Sequence, residues 1–194
     1  MKRHHALACR TLVGLFVFGG HALAQQSYNA PIVGVTASEG RRWGWGAAPG
    51  ATIGGFGFFA GWRRENWRFG VVEQNQWWVG GRGIATDLGG FLSHDWASLW
   101  VDPQLSTALF WRAEPAVRYK WHESKWALAP SFVVGGRAAG GEIGFVATPQ
   151  YWVSDIPNNA SKWGVDLQVR LSFEVLEVLH FIEHLSEANE PMTP

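Results

Sequence analysis

Fourteen consecutive residues, Lys162 to Val175, alternate without a fault between two rows. Lys162, Gly164, Asp166, Gln168, Arg170, Ser172 and Glu174 form one row; Trp163, Val165, Leu167, Val169, Leu171, Phe173 and Val175 form the other. Successive side chains of a β-strand point to opposite faces, so this segment reads as a strand with one wholly apolar face and one charged face. Each face then needs its own surroundings. In the wall of a membrane barrel the apolar row meets lipid and the charged row meets the lumen. In a soluble barrel the polarity reverses, with the apolar row inside.

The pattern recurs. Between Trp111 and Trp121, one row holds Trp111, Ala113, Pro115, Val117, Tyr119 and Trp121, and the other Arg112, Glu114, Ala116, Arg118 and Lys120. Pro115 cannot donate a ladder hydrogen bond, so a bulge or break is expected there. Weaker alternation marks Trp126 to Arg137 and Glu142 to Val153, the latter with Ile143, Phe145, Ala147, Tyr151 and Val153 on the apolar side. The glycine-rich first half is less regular. Ile32 to Ala37 begins the series, Ala51 to Arg63 and Trp67 to Val79 read as a hairpin, and Ile84 to Val101 holds one more strand. Further turns are expected at residues 122–125, 138–141 and 155–161. The sum is an all-β, up-and-down antiparallel β-barrel of about eight strands, each long enough for the roughly 9 to 11 residues of a tilted membrane strand.

The N-terminus carries Lys2, Arg3 and Arg10, then the apolar stretch 12–18, then Ala22-Leu23-Ala24 before Gln25. A positive start, a short apolar middle and a small-x-small exit form a secretory signal peptide. The apolar run is too short for a spanning helix, and Cys9 precedes it, which does not fit a lipoprotein. The expected organisation is therefore 1–24 signal peptide, 25–175 β-barrel and 176–194 C-terminal helix and tail. Cleavage leaves 170 residues and removes three of 16 basic residues, so 13 Lys and Arg face 16 Asp and Glu, a net −3. That balance gives no basic patch for nucleic acid. The charged fraction of 16% is below the roughly 25% of soluble domains, while 13 tryptophans are present. A charge-poor, tryptophan-rich chain without a spanning helix fits lipid as a closed barrel, so membrane lipid is the expected partner and the cell outer membrane the expected location.

Tryptophans near strand ends suit an interfacial aromatic girdle, because indole is apolar with one polar N–H. Trp62, Trp67, Trp121, Trp126, Trp152 and Trp163 are assigned to it. Arg112, Glu114, Arg118, Asp166, Arg170 and Glu174 are expected to face inward. An eight-stranded barrel is just wide enough to be filled by side chains, and buried charges need partners, so these six predict a lumen plugged by ion pairs. After Glu174 the period changes: Val175, Val178, Leu179, Ile182 and Leu185 recur at helical spacing, predicting a short amphipathic helix to about Ser186.

Gly164-Val165-Asp166-Leu167-Gln168-Val169, with alternation continuing to Phe173, resembles the last-strand sorting signal of outer-membrane proteins. The chain is similar in architecture to the small eight-stranded outer-membrane barrels. In that family the aromatic lies at or near the terminus, whereas here 21 residues follow Phe173.

Candidate chemistry is sparse. His180-Phe181-Ile182-Glu183-His184 has the H-x-x-E-H spacing of inverzincin metalloproteases, but the further acidic ligand has only Glu187 and Glu190 as candidates. His184-Leu185-Ser186 with Glu190 is similar to the His-x-Ser pair of lipid A deacylase barrels, where imidazole and hydroxyl share one strand face; here the surrounding spacing is helical. Ser93, His94 and Asp95 alternate faces on a strand and form no triad. Asn159-Ala160-Ser161 marks an exposed loop. No catalytic residue, metal or cofactor is assigned. The reading is a structural outer-membrane barrel. Its rivals are a soluble periplasmic lipocalin-like barrel that binds a small apolar ligand and, behind it, the deacylase.

Overall fold

The computed structural model describes residues 29–44, 50–78, 83–98, 108–138, 140–155 and 161–179. Ten strand segments follow one another: β1 (Asn29–Gly44), β2 (Ala51–Arg64), β3 (Trp67–Trp78), β4 (Ile84–Ser98), β5 (Ala108–Glu114), β6 (Ala116–Lys120), β7 (Lys125–Leu128), β8 (Ser131–Ala138), β9 (Gly141–Trp152) and β10 (Trp163–Glu174). β5 and β6 are one wall strand interrupted at Pro115, both pairing with β4. β7 and β8 are another, interrupted at Ala129-Pro130, both pairing with β9. Counted this way the wall has eight antiparallel strands. It closes where β10 pairs with β1, from Gly34 opposite Glu174 to Gly44 opposite Gly164. Closure leaves no free edge, which is the condition for burying a sheet in lipid.

The break at Pro115 falls where its missing N–H interrupts the ladder. Its carbonyl still accepts from Gly90 N at 3.1 Å, and Ala129 N donates to Ala116 O at 2.9 Å, so the wall stays continuous across both interruptions. β2 and β3 meet in the two-residue turn Glu65-Asn66, where Glu65 adopts φ 53. β8 and β9 turn at Gly140, whose φ of 78 suits a residue without Cβ. Trp121–Glu123 forms one 3-10 turn. Both of these hairpin turns, Glu65-Asn66 and Gly140, lie at the end that also holds the start of β1 and the end of β10. We call this the lower end; the end of β1, the start of β2 and the 3-10 turn mark the upper end.

β1 is longer than the sequence suggested, running through Glu39, Arg41 and Trp43 instead of stopping near Ala37. After β10 the chain turns helical at 175–179, in line with the change of period; the rest of that expected helix lies outside the described residues, as do residues 1–24. Gly140 O accepts from Glu174 N at 2.7 Å, which ties the strand end to the β8–β9 turn.

Candidate functional site

Strand parity sorts the side chains into two environments. Along β10, Leu167 and Val169 are exposed on the outer wall while Asp166, Gln168, Arg170, Ser172 and Glu174 are buried inside. The outer row continues around the barrel with Val33, Val35, Phe56, Phe58, Phe69, Val71, Leu88, Val117, Phe132, Ile143 and Phe145, all exposed. This orientation is the reverse of what a lipocalin-like barrel needs, and it overturns that alternative: the apolar row that would form its ligand cavity lies outside.

Inside, the polar side chains form three tiers. At the upper end Arg42 places Nε 2.6 Å from Asp166 Oδ1 and a terminal nitrogen 2.5 Å from Oδ2. Arg118 grips Asp87 through Nε at 2.6 Å and NH2 at 2.8 Å, and reaches Asp166 through NH1 at 2.7 Å. Gln76 and Gln150 accept from Arg42 and Arg118, each at 2.8 Å. Six of the eight wall strands thus meet in one network. Forked guanidinium–carboxylate contacts of this kind satisfy charge and geometry together. The Arg42 guanidinium carbon also lies 4.4 Å from the centroid of the Trp78 ring.

In the middle tier Arg170 NH1 donates to both oxygens of Glu114, at 2.5 and 2.7 Å, while NH2 donates to Gln74 at 2.7 Å. Gln74 passes the chain on to Ser38 at 2.7 Å. In the lower tier Glu142 collects Arg112 at 2.6 Å, Arg137 at 3.2 Å and Arg68 at 3.5 Å. Glu174 takes Arg63 at 2.9 Å and also pairs with Arg68, and Arg63 bridges onward to Glu177. Arg137 lies 4.5 Å over the Phe110 ring, and Arg112 lies between Phe59, Phe91 and Phe110 at 5.2 to 5.6 Å.

All six lumen residues named from sequence are therefore inside and partnered. Sequence reasoning missed Arg42, Arg68, Asp87, Arg137 and Glu142, which complete the same networks. It also missed the apolar share of the interior: Ile32, Phe59, Val72 and Phe91 cluster there, as do Phe110, Val133 and Val146. The filling is mixed, with ion pairs set among aromatic and aliphatic side chains.

Of the tryptophans assigned to a girdle, Trp62, Trp67, Trp121, Trp126 and Trp163 are exposed on the outer wall, Trp163 at 63%. Trp152 is a correction. At 1% exposure it points into the barrel, because Tyr151 takes the outward position beside it. Trp43, Trp77 and Trp96 are also exposed outside. The outward tryptophans fall in two levels: Trp43, Trp77, Trp121, Trp126 and Trp163 at the upper end, and Trp62, Trp67, Trp96 and the half-buried Trp111 at the lower. A bulge between Asp95 and Ala97 leaves Trp96 unpaired, aimed outward. Trp67 and Trp77 lie ten positions apart on β3. At about 3.3 Å per residue and a tilt near 45°, that separation is roughly 23 Å, close to the ~25 Å apolar band of outer-membrane barrels.

Ser93 and Asp95 face inward, where both contact Arg137 (3.3 and 3.2 Å), and His94 faces outward between Trp67 and Trp111, so the three form no triad. His180, Glu183, His184, Ser186, Glu187 and Glu190 lie outside the described residues. Among the described residues no cluster of three metal-ligating side chains occurs. No helix among them is long and apolar enough to cross a membrane.

No family model and no curated protein matches the chain. Solved structures do. Neisserial surface protein A (NspA) superposes with a TM-score of 0.53 at 11% identity, over 74% of this chain and 96% of that one. The outer membrane enzyme PagL superposes with a TM-score of 0.51 at 11% identity, over 73% and 99%. At that identity the likeness establishes the fold, a small closed eight-stranded barrel.

Proposed function

We propose that this chain is a non-enzymatic barrel of the outer membrane with a structural role in the envelope, its lumen closed by side chains. One observation carries the reading: among the described residues, the outer wall between two levels of tryptophan is mainly apolar, while the charges that face in are paired. Lipid satisfies such an exterior, and water does not. The interior supports the plug. Arg118, Arg42 and Asp166 bridge across the upper lumen, and Arg170 with Glu114 bridges the middle, where bidentate contacts leave little freedom to open.

Membrane extraction, mobility and conductance test this together. The protein should stay with outer membranes through carbonate washing, migrate differently in gels before and after boiling, and give no steady channel current in planar bilayers. Recovery in the carbonate-soluble fraction overturns the membrane assignment, and a stable unitary conductance overturns the plug.

A further inference from the structure

The outer wall is not uniformly apolar. Glu73 faces out from β3, four positions below Trp77 and six above Trp67. By the same rise and tilt it lies roughly 9 Å inside the upper tryptophan level, at hydrocarbon depth. Ionisable groups at such depth are rare and usually have a partner.

A hydrogen-bond chain leads to it. Trp121 Nε1 donates to Thr86 Oγ1 at 2.9 Å, Thr86 Oγ1 donates to Asn75 Oδ1 at 2.7 Å, and Asn75 Nδ2 donates to Glu73 Oε1 at 3.0 Å. Indole N–H only donates, so the Thr86 hydroxyl must accept there and give its own proton to Asn75. That fixes the orientation of the Asn75 amide. Among the described residues, two groups of this chain are left over: the second N–H of Asn75, and Glu73 Oε2. One is a donor and the other an acceptor, two positions apart on one face of one strand.

We infer that this face of β2, β3 and β4 is where a second copy of the chain docks. Across a two-fold axis along the membrane normal, Asn75 of each copy donates to Glu73 of the other, the reciprocal contact an isologous interface requires. Lipid chains supply no donor at this depth, whereas a second copy supplies the matching one. The relief of the wall suits close approach. Just below Glu73 the small residues Ala60 and Gly90 stand on either side of Val71, while Phe58 and Leu88 flank Glu73 as bulky shoulders. Small residues next to a polar hydrogen-bonding pair are what associating membrane surfaces use.

The inference rests on the membrane reading, and the two fail differently. Cys9 is the only cysteine in the sequence, so Val71→Cys in a Cys9→Ser background gives one reporter beside the proposed contact. Purified in mild detergent, the protein should show the protein mass of two chains by light scattering and form a Val71→Cys disulfide dimer. Glu73→Leu and Asn75→Leu should each lower the crosslinking yield about tenfold while keeping the heat-dependent gel shift of a folded barrel. A folded, membrane-extracted protein with the mass of one chain overturns the docking but not the barrel. Undiminished crosslinking in folded Glu73→Leu also overturns it, since apolar packing alone would then suffice.

Discussion

Asp166 shows what one residue does in this interior. It is fully buried, and its two oxygens hold Arg42 and Arg118 from opposite walls. Water-to-lumen transfer of three charges is costly, and the contacts offset that cost only while each charge keeps its partner. Among the described residues, Asp166→Ala would leave Arg118 with Asp87 and Gln150, and Arg42 with the Gln76 carbonyl and the Trp78 ring. The expected loss is about 3–5 kcal/mol, read from urea unfolding in lipid vesicles. A loss under about 1 kcal/mol would mean that water reaches this tier and screens it. Asp166 was legible in the sequence because β10 alternates so cleanly. Arg42, its partner, was not. It stands between Arg41 and Trp43, and Arg41 points outward to Gly50 O and Thr52, so charge alone did not mark the inner row.

At the scale of the element, parity is the dependable signal and nearness to a strand end is not. Tyr151 and Val153 were both read as apolar-side residues, which already sent Trp152 to the opposite face. Its place in the girdle came from proximity to a turn, and the buried position follows parity. Alternation fades where the inner row is itself apolar or missing. In β2, Phe58 faces out and Phe59 faces in, with glycines at 54, 55, 57 and 61, so hydrophobicity carries no period although the strand is regular. The β2–β3 turn offers a separate test. Glu65 is held at φ 53, a left-handed conformation that crowds Cβ against the next carbonyl. Glu65→Gly should relieve that crowding and stabilise the barrel by about 1 kcal/mol in the same unfolding assay. Asn66 and the flanking pair Arg64–Trp67 stay unchanged, so a destabilisation would show that the glutamate side chain has a role its exposed position does not reveal.

For the whole molecule, the proposed membrane setting requires two levels of tryptophan to bound a slab of hydrocarbon, and depth is what distinguishes lipid from any other apolar surroundings. Trp67 and Trp77 bound β3, and the joined β5–β6 strand carries Trp111 and Trp121 at the same ten-position spacing, so Val71 and Val117 lie near the middle of both intervals. Ile84 pairs with Trp77 and lies at the upper level. All three side chains are exposed on the outer wall, Val71 at 60%, so replacing them disturbs little packing. Arginine at the bilayer centre of a barrel costs about 2–4 kcal/mol, falling to about 0–1 near the interface. Val71→Arg and Val117→Arg should therefore lower unfolding stability in vesicles by the larger amount, and Ile84→Arg by the smaller. A barrel whose apolar exterior is covered by protein or detergent-like ligand has no such gradient, since water lies equally far from every covered site. Equal penalties at all three positions would separate the apolar wall from the bilayer; a penalty that peaks midway between the tryptophan levels fixes both the depth and the tilt of the chain in its membrane.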